Sequence, residues 1–586
     1  MSWLRRIWGY ARPYRNLYLL GFALLLLTNA LSLSIPWLLR AAIGKLEEAA
    51  PIAEIGKLAL AIIGVAAAQA VVRTGSRLAI LGNSRRVAHD IRRAFFARLL
   101  RLDAPFFDEN RTGDVMSRGV NDIRLLQGMY GPGALNLLNT TIVYIATLAL
   151  LLRIDPLLTV ISLTIYPPMM FAVNRISRRV YARSLAVQEQ LALISNHAQE
   201  NISGIQQVKT YVQEEREIEN FRQLCAEFRD RNLSMAALRG TMLSLIGIVT
   251  GVGTLVVLYV GGRFVIEGRI SFGDFVAFNA YLALLVWPTI AFGWIINTLQ
   301  RGLGAIERLD AVLDVHPTIP SPLDDPDTPS PVDAPSISIR NLTFTYPGES
   351  DERREPALRD LSLEIPAGSR LAIVGPVGCG KSTLAALLAR VYQPPRGTIQ
   401  VDGEDLVDLP VEQWRSALGY VPQEPFLFSR SLRENVAFAE RDAPQEQLDR
   451  AVELAQLSQD LPQLPDGLDT VVGERGFTLS GGQRQRATLA RAVVRQPGLL
   501  ILDDAMSSLD ADTERAVMDG LDQLMEGRTA VFITHRPSTL IGMQRIVVLD
   551  EGRIVEEGSH EELLQRGGLY AQLFERRSLE QGLDGE

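Results

Sequence analysis

Cysteine and lysine are both scarce in this chain of 586 residues, and its composition excludes several kinds of site. The two cysteines, Cys225 and Cys379, lie in segments predicted to be cytosolic, so the sequence predicts neither a disulfide nor a cysteine-based metal site. Only four of the 59 basic residues are lysines, and arginine therefore carries nearly all of the positive charge. The net charge is −8 and the basic residues form no concentrated stripe, which argues against a nucleic-acid-binding protein.

Long uncharged apolar stretches are frequent up to about Gln300, whereas the remainder has the composition of a soluble α/β domain. A hydrocarbon core about 30 Å thick requires roughly 20 apolar residues of helix to cross it. The sequence predicts six membrane spans, at Leu17–Leu39, Leu58–Val72, Pro132–Leu152, Pro156–Asn174, Gly240–Gly262 and Phe275–Gln300. The second span is short. Any one stretch could be a buried helix of a soluble protein, but six in one chain cannot all be core.

The arginine distribution predicts how these spans are oriented in the membrane. Met1–Arg15 alternates aromatic and aliphatic residues with arginines before a full-length span, so it reads as an interfacial helix and not as a cleaved leader. The segments Arg85–Arg124 and Arg175–Arg239 are rich in arginine and are therefore expected to be cytoplasmic. The sequence thus predicts an integral protein of the plasma (inner) membrane, in contact with lipid, whose C-terminal domain is cytoplasmic.

The C-terminal domain contains a phosphate loop. Gly375–Ser382 reads GPVGCGKS and fits the pattern G-x-x-x-x-G-K-[ST], between a candidate strand, Leu371–Val374, and a candidate helix, Leu384–Leu388. Glycines let successive N–H groups face one anion, and the helix N-terminus adds its positive dipole. Lys381 is expected to neutralise the β- and γ-phosphates of ATP, and Ser382 to ligate Mg²⁺. A chance match is a roughly few-per-cent event over this length.

Two further motifs identify a family. Asp503 and Asp504 end the apolar run Leu499–Leu502, and Leu479–Gln483 reads LSGGQ about a hundred residues after the phosphate loop. Together these motifs resemble those of an ABC exporter half-transporter, and the resemblance covers almost the full length. It implies an all-α six-helix transmembrane domain with long cytosolic helical extensions, followed by an α/β P-loop ATP-binding cassette. The implied boundaries are an elbow helix (1–16), a transmembrane domain (17–315), a proline-rich linker (316–335), a nucleotide-binding domain (336–575) and a tail (576–586).

The resemblance also implies a role for each motif residue. The residues expected to bind ATP within this chain are Tyr346, Gly375, Gly378, Cys379, Gly380, Lys381, Ser382 and Thr383. Those expected to reach the ATP of the opposite subunit, or to link the two sites, are Ser480, Gly481, Gly482, Gln483 and Asp510. The expected Mg²⁺ ligands are Ser382, Gln423 and Asp503, and the expected catalytic residues are Asp504, His535 and Gln423. Tyr346 would stack on adenine, and His535 would hold the γ-phosphate.

Other segments resemble the parts of an exporter that couple the two domains. Phe106–Asp108 with Thr112–Asp114 resembles the first cytosolic coupling segment, and Glu200–Tyr211 resembles the second. Val472–Gly476 resembles the exporter-specific loop that contacts them. The last stretch, Glu561–Leu579, is expected to be one helix, which either covers its own domain as a lid or pairs with a second subunit.

Asp504 is where this chain departs from the family, which usually has glutamate at this position. Aspartate withdraws the carboxylate by one methylene, about 1 Å, and a misplacement of this size can cost about a hundredfold in rate. Slow hydrolysis in a chain whose signature, the LSGGQ sequence at Leu479–Gln483, is intact predicts a heterodimer with a glutamate-containing half-transporter. The alternatives are a homodimeric exporter or lipid flippase that uses the aspartate, or an ATP-gated channel or regulator. The expected cargo is an amphipathic small molecule, lipid or peptide, and no residues are assigned to its binding.

Overall fold

The computed structural model describes residues 2–164, 166–319, 332–347, 355–473, 476 and 479–583, which fall into two compact units. The first unit is Met1–Ala94 with Arg118–Asp310, and the second is Phe95–Ser117 with Ala311–Glu586. Most of the linker (320–331) and two residues of the predicted exporter loop, Glu474 and Arg475, lie outside the described residues.

The first unit is built from helices. Their bounds are α1 Ser2–Ala11, α2 Arg15–Glu47, α3 Ile52–Leu99, α6 Ile123–Gly128, α7 Ala134–Ile154, α8 Pro156–Leu163, α9 Tyr166–Ser203, α10 Ile205–Thr210, α11 Glu214–Ile266 and α12 Phe272–Leu313. The last residues of α3 (95–99) and of α12 (311–313) belong to the second unit. Between α3 and α6 the chain forms α4 Ala104–Glu109 and α5 Thr112–Ser117, and both belong to the second unit. Two short π-helical turns, at Arg118–Asp122 and Met129–Gly133, flank α6.

Every stretch predicted to span the membrane is helical over its described residues, apart from a turn at Thr164. Within the described part of the chain, four helical stretches are long and apolar enough to cross a bilayer: Ile7–Glu47, Ile52–Leu99, Thr112–Ile154 and Phe272–Leu313. The predicted span Pro156–Asn174 is divided between α8 and α9. The predicted span Gly240–Gly262 is part of α11, and it overlaps the apolar helical stretch Gly251–Ile266 among the described residues.

Buried polar contacts tie the helices of the first unit together. Asp155 is 5% exposed, caps α8 by accepting from the Leu158 N–H at 2.8 Å, and pairs with Arg269 at 2.6 Å. Arg308 donates to both oxygens of Asp122, at 3.0 and 2.6 Å. A buried carboxylate is tolerated only when it is paired and hydrogen-bonded, so these contacts fix how the helices meet.

The second unit contains two sheets. The four-stranded antiparallel sheet has the order β2 (Leu358–Ile365), β1 (Ile337–Phe344), β4 (Ile399–Val401) and β5 (Glu404–Asp405). The six-stranded sheet has the order β10 (Arg553–Gly558), β9 (Arg545–Asp550), β3 (Arg370–Val374), β8 (Thr529–Ile533), β7 (Leu499–Asp503) and β6 (Leu418–Val421). Within it only the β9–β10 pair is antiparallel. Every residue of β7 and β8 is buried, as expected for parallel strands covered on both faces.

Short helices cover these sheets and complete the second unit. They are α13 Lys381–Leu388, α14 Val411–Ser416, α15 Leu432–Val436, α16 Gln445–Leu454, α17 Gly481–Val493, α18 Ala511–Leu524, α19 Pro537–Ile541, α20 His560–Arg566 and α21 Leu569–Leu583. The C-terminal segment was predicted as one helix, which is wrong, because Gly567 has φ +64° and ends α20. Tyr570 of α21 is fully buried in the core of its own domain, together with Leu563 of α20.

Candidate functional site

The site lies where parallel strands of the six-stranded sheet end. β3, β8 and β7 are hydrogen-bonded neighbours, and their carboxyl ends lead to the phosphate loop, to His535 and to Asp503 respectively. In open α/β sheets, ligands bind in the crevice outside these strand ends. Three motifs that lie between residues 375 and 535 of the chain therefore meet at one edge.

The phosphate loop depends on glycine at two positions. Gly375 has φ +156°, and a Cβ there would lie 2.1 Å from the Leu549 carbonyl oxygen. Gly380 has φ +103°, and a Cβ there would lie 2.6 Å from the Ala357 carbonyl oxygen. Any side chain at either position would collide with backbone, so the loop can take this path only with glycine.

Lys381 is the cation at the centre of the loop. Its side chain is 8% exposed, and Nζ donates to the carbonyl oxygens of Gly375 and Pro376, both at 2.7 Å. It is the first residue of α13, whose other residues, apart from Ser382, are buried against the sheet. The ammonium group is therefore fixed where the loop amides and the helix dipole also favour an anion.

A cavity of about 280 Å³ beside this loop brings together most of the residues predicted for ATP and Mg²⁺. The predicted residues that line it are Tyr346, Gly378, Gly380, Lys381, Ser382, Thr383, Gln423, Asp503, Asp504 and His535. Tyr346 donates its hydroxyl hydrogen to Thr383 Oγ1 at 3.0 Å, which ties the predicted adenine-stacking ring to α13. Cys379 was predicted to bind the nucleotide, but its side chain is 4% exposed and packs in the core under the loop.

Asp503 and Ser382 form the part of the site that suits a divalent metal. Asp503 is 3% exposed, and burial raises its pKa, while a hydrogen bond with Ser382 and the charge of Lys381 act to lower it. A carboxylate and a hydroxyl in direct contact, with the Gln423 amide lining the same cavity, are oxygen donors of the kind that Mg²⁺ takes. The residues therefore fit this metal.

Asp504 is held in a fixed backbone conformation. Its φ is +49°, in the left-handed region that aspartate tolerates better than most residues, and its N–H donates to the Ile533 carbonyl at 2.8 Å. Burial and the neighbouring Asp503 raise the pKa of this carboxyl, while Arg536, Arg577 and Lys381 act to lower it. Because the backbone is anchored to β8, the reach of this carboxylate depends on the length of its side chain.

His535 follows β8 and lines the same cavity. Burial, with the positive charges of Lys381 and Arg577, lowers its pKa to about 4. The imidazole is therefore neutral at physiological pH and has one N–H to donate. In this form it can hydrogen-bond to a phosphate without adding a charge.

The sequence did not predict that α21 would reach the ATP site. A second cavity, of about 260 Å³, shares Val377 and His535 with the first one and is lined on its other side by Arg576 and Arg577 of α21. The predicted lid on its own domain is therefore confirmed. The sequence could not predict that these two arginines line a cavity beside the phosphate loop, because only the tertiary fold brings α21 there.

The signature residues lie apart from the first cavity. Ser480 caps α17 by accepting from the Gln483 N–H at 3.2 Å, and the Gln483 side chain accepts from the Ser480 N–H at 3.0 Å. Gly481 and Gly482 form the first turn of this helix. Asp510 caps α18 in the same way, accepting from the Thr513 N–H at 2.9 Å. None of these five residues lines the cavity that contains Lys381, as expected if they serve another subunit's nucleotide.

The segment predicted to be the first coupling segment is joined to the predicted ATP site by a chain of contacts within the second unit. Tyr392 donates its hydroxyl hydrogen to Asp108 of α4 at 2.7 Å, and burial with this hydrogen bond raises the Tyr392 pKa. Its ring packs edge-on against Tyr346, 5.0 Å between centroids, and Tyr346 is bonded to Thr383. No motif in the sequence pointed to Tyr392. The second segment contains α10 in the other unit, where Ile205 and Tyr211 are exposed.

We expect Tyr392→Phe to weaken coupling without weakening ATP binding. The change removes only the hydroxyl group, and the lost hydrogen bond is worth about 0.5–1.5 kcal/mol, which corresponds to roughly a two- to tenfold loss of transported compound per ATP hydrolysed. Transport and ATP turnover would be measured together in vesicles. Ser338→Ala removes an exposed hydroxyl from the adjacent sheet as a control. Unchanged transport per ATP in Tyr392→Phe would contradict this role for the contact.

Known proteins resemble the chain over nearly its whole length. The family model described as "ABC transporter transmembrane region" matches residues 18–289, and the model described as "ABC transporter" matches residues 358–507. A probable multidrug resistance ABC transporter ATP-binding/permease protein of Bacillus subtilis, YheI, is 31% identical, with 99% of this chain and 98% of that protein covered.

Two further curated relatives and one solved structure agree with these matches. The multidrug resistance-like ATP-binding protein MdlA of Escherichia coli is 31% identical, covering 98% of this chain and 97% of that protein. An ATP-dependent lipid A-core flippase of Chromobacterium violaceum is 32% identical, covering 96% of each. A bacterial Atm1-family ABC exporter solved with ATP bound superposes with a TM-score of 0.79 at 27% identity, covering 96% of this chain and 99% of that one.

Proposed function

We propose, from the premise that this chain belongs to the ABC transporter family as an exporter half-transporter, that it is the slow-hydrolysing half of a heterodimer. ATP-driven export across the inner membrane is the activity of this family, and such exporters work as dimers with another half-transporter or with themselves. The proposal adds the identity of the partner, the rate at this site and the class of cargo.

The observation that carries the proposal is the geometry of Asp504. Its backbone is held in the left-handed region and anchored to Ile533, so the carboxylate cannot move forward by a backbone shift without breaking that hydrogen bond. A side chain shorter by one methylene therefore places the oxygen about 1 Å away from where a glutamate would hold the attacking water. Slow cleavage of ATP bound to this chain follows.

The other residues of the site remain suited to holding MgATP. We assign Lys381 and the loop amides to the phosphates, Tyr346 to adenine, neutral His535 to the γ-phosphate, and Ser382, Asp503 and Gln423 to Mg²⁺. When bound, Mg²⁺ neutralises charge on the phosphate oxygens. ATP binding at this site then favours closure of the two cassettes, because the closed state binds the nucleotide more tightly than the open one.

The intact signature supports a division of labour between two subunits. Ser480 and Gly482 begin α17 with the capping geometry of an anion-binding helix N-terminus, so this half of a composite site is complete. In a head-to-tail dimer it serves the partner's ATP. A partner with glutamate at the equivalent of Asp504 would then hydrolyse ATP quickly at the site that this chain's signature completes.

Purification of the chain alone tests the heterodimer. We expect weak ATPase activity, because both composite sites of a homodimer would contain Asp504. As one subunit of a heterodimer, the chain is also expected to form no stable symmetrical dimer by itself. Co-expression with a glutamate-containing half-transporter should restore both turnover and dimerisation, measured by phosphate release and by light scattering. Brisk activity in a stable symmetrical dimer of this chain would support the homodimeric alternative instead.

We propose an amphipathic compound as the cargo, since the relatives include proteins named for multidrug resistance and for flipping of a lipid. A panel of drugs, lipids and peptides, tested for stimulated ATP turnover and for accumulation in inside-out vesicles, distinguishes transport from a channel. A channel cannot produce accumulation against a gradient, so equilibration alone would contradict export.

A further inference from the structure

Asp460 is a buried carboxylate that lies outside the ATP cavity and outside the motifs of the ATP site. Its exposed fraction is 6%, and it lies between two short 3₁₀ turns, Leu457–Gln459 and Leu461–Gln463. Its N–H donates to the Leu457 carbonyl, and its own carbonyl accepts from the Gln463 N–H, both at 3.0 Å. The turns on either side therefore fix the backbone that carries this carboxylate.

Both carboxylate oxygens of Asp460 contact the first two turns of the signature helix, α17. Oδ2 accepts from Nε of Arg486 at 2.9 Å, and Oδ1 accepts from Nη2 of the same guanidinium group at 2.8 Å. Oδ1 also accepts from Nε2 of Gln483 at 3.3 Å. Gln483 and Arg486 are three residues apart, so they lie on one face of α17 and meet the same carboxylate. Because the pair with Arg486 is bidentate, it fixes the orientation of the helix as well as its distance.

The bond to Gln483 connects Asp460 with the cap of the helix. Nε2 of Gln483 donates to Asp460, and Oε1 accepts from the Ser480 N–H at 3.0 Å. The Ser480 hydroxyl oxygen accepts from the Gln483 N–H at 3.2 Å. This bond uses an oxygen lone pair, which leaves the hydroxyl hydrogen able to donate to a ligand. Asp460 thus holds the amide that sets the direction of this hydroxyl group.

The cap is exposed at Ser480, whereas the ion pair behind it is buried. The side chains of Arg486 and Asp460 are 12% and 8% exposed. Water competes for the hydrogen bonds of an exposed cap, but bonds in the low-dielectric interior are stronger. Desolvation of both charges offsets much of the attraction within such a pair, so the pair contributes a fixed geometry more than it contributes stability.

We propose that Asp460 is a positioning residue that directs the signature toward the ATP of the opposite subunit. By holding Gln483 and Arg486, it fixes the Ser480 hydroxyl and the first N–H groups of α17 in the arrangement that an anion needs. The carboxylate belongs to this chain, whereas the ATP that it serves is bound by the partner. Loss of Asp460 is therefore expected to slow hydrolysis at the opposite site and to leave ATP binding by this chain unchanged. The inference rests on the head-to-tail dimer of the proposed function.

Asp460→Asn tests this division, because it keeps the shape of the side chain and removes its charge. In the assembly in which the full-length chain is isolated, ATP hydrolysis is expected to fall about tenfold, the typical effect of weakening hydrogen bonds to a charged group. The affinity of the full-length chain alone for a fluorescent ATP analogue should stay within about twofold of the wild type, because Asp460 does not line the cavity beside the phosphate loop.

Asp522→Asn is the control for the loss of an ion pair in the same domain. Asp522 pairs with Arg370, which begins β3 at the end of the strand opposite to the phosphate loop. The variant makes the same chemical change away from α17, and it should keep the hydrolysis rate of the wild type.

A double variant separates positioning from stability. Asp460→Asn leaves Arg486 buried beside a neutral group, so Tm should fall. Replacing both members by apolar residues, Asp460→Leu with Arg486→Met, removes the unpaired charge and should bring Tm back toward that of the wild type. Hydrolysis is expected to stay low in this double variant, because neither apolar side chain can hold Gln483.

Recovery of hydrolysis together with Tm in the double variant would show that the pair serves stability alone, and it would overturn the proposal. Wild-type hydrolysis in Asp460→Asn, an equal loss in Asp522→Asn, or weakened binding of the analogue would overturn it too. Brisk hydrolysis in a symmetrical dimer of the unmodified chain would instead overturn the proposed heterodimer. It would leave this inference standing, because each signature in such a dimer still serves the ATP of the other copy.

Discussion

Replacing Asp504 with glutamate is expected to raise the rate of ATP cleavage at this chain's own site about a hundredfold. The added methylene carries the carboxylate about 1 Å further while the anchored backbone stays in place, since the bond from the Asp504 N–H to Ile533 does not involve the side chain. Glutamate tolerates a φ of +49° less well than aspartate does, so we also expect a small decrease in the stability of the folded chain.

The measurement is single-turnover cleavage of ATP, in an assembly whose partner site has been inactivated. Asp503→Glu is a matched control, because it adds the same methylene to the neighbouring carboxylate, whose place beside Ser382 suits a metal, and it should lower the rate. Asp504→Asn should abolish what activity remains. Rapid cleavage by the unmodified chain, with no gain in Asp504→Glu, would show that the aspartate already positions the water.

Lys381→Ala is expected to lower the affinity for MgATP about a hundredfold or more and to abolish export. Nζ lies at the centre of the loop, bonded to Gly375 and Pro376, and its removal leaves the phosphate charge without its nearest cation in a partly desolvated site. Lys381→Arg should not restore binding, because the larger planar group does not fit a cradle in which the lysine is 8% exposed.

Isothermal titration of the detergent-solubilised chain with MgATP measures this loss. Lys209→Ala is a suitable control because it also removes a lysine, but one that is exposed and paired only with Glu214 at 3.0 Å. It should bind ATP like the wild type, since a surface ion pair contributes little. Retention of full affinity by Lys381→Ala would mean that the loop amides alone hold the phosphates.

Much of the ATP site could be predicted from the sequence because its motifs act over a few residues. Glycines determine the backbone path of the phosphate loop. The signature forms a helix N-terminus, and the run that ends at Asp503 forms a buried strand. Lys381, Ser382, Asp503, Asp504 and His535 were all predicted, and all line one cavity. The apolar stretches of the membrane domain are equally local, because the thickness of a bilayer sets their length.

Contacts between distant segments depended on the order of the strands and on packing. β3 lies between β9 and β8, and this order brings residues far apart in the chain to one edge of the sheet. Packing between distant segments places other contacts. It brings Arg536 and Gln485 onto Ser507, Tyr392 onto Asp108, and Arg577 beside His535. The sequence alone thus determined which groups are candidates to bind phosphate and metal, since each belongs to a motif of a few consecutive residues. Only the tertiary structure decided which groups hold them in place, because those side chains lie elsewhere in the chain.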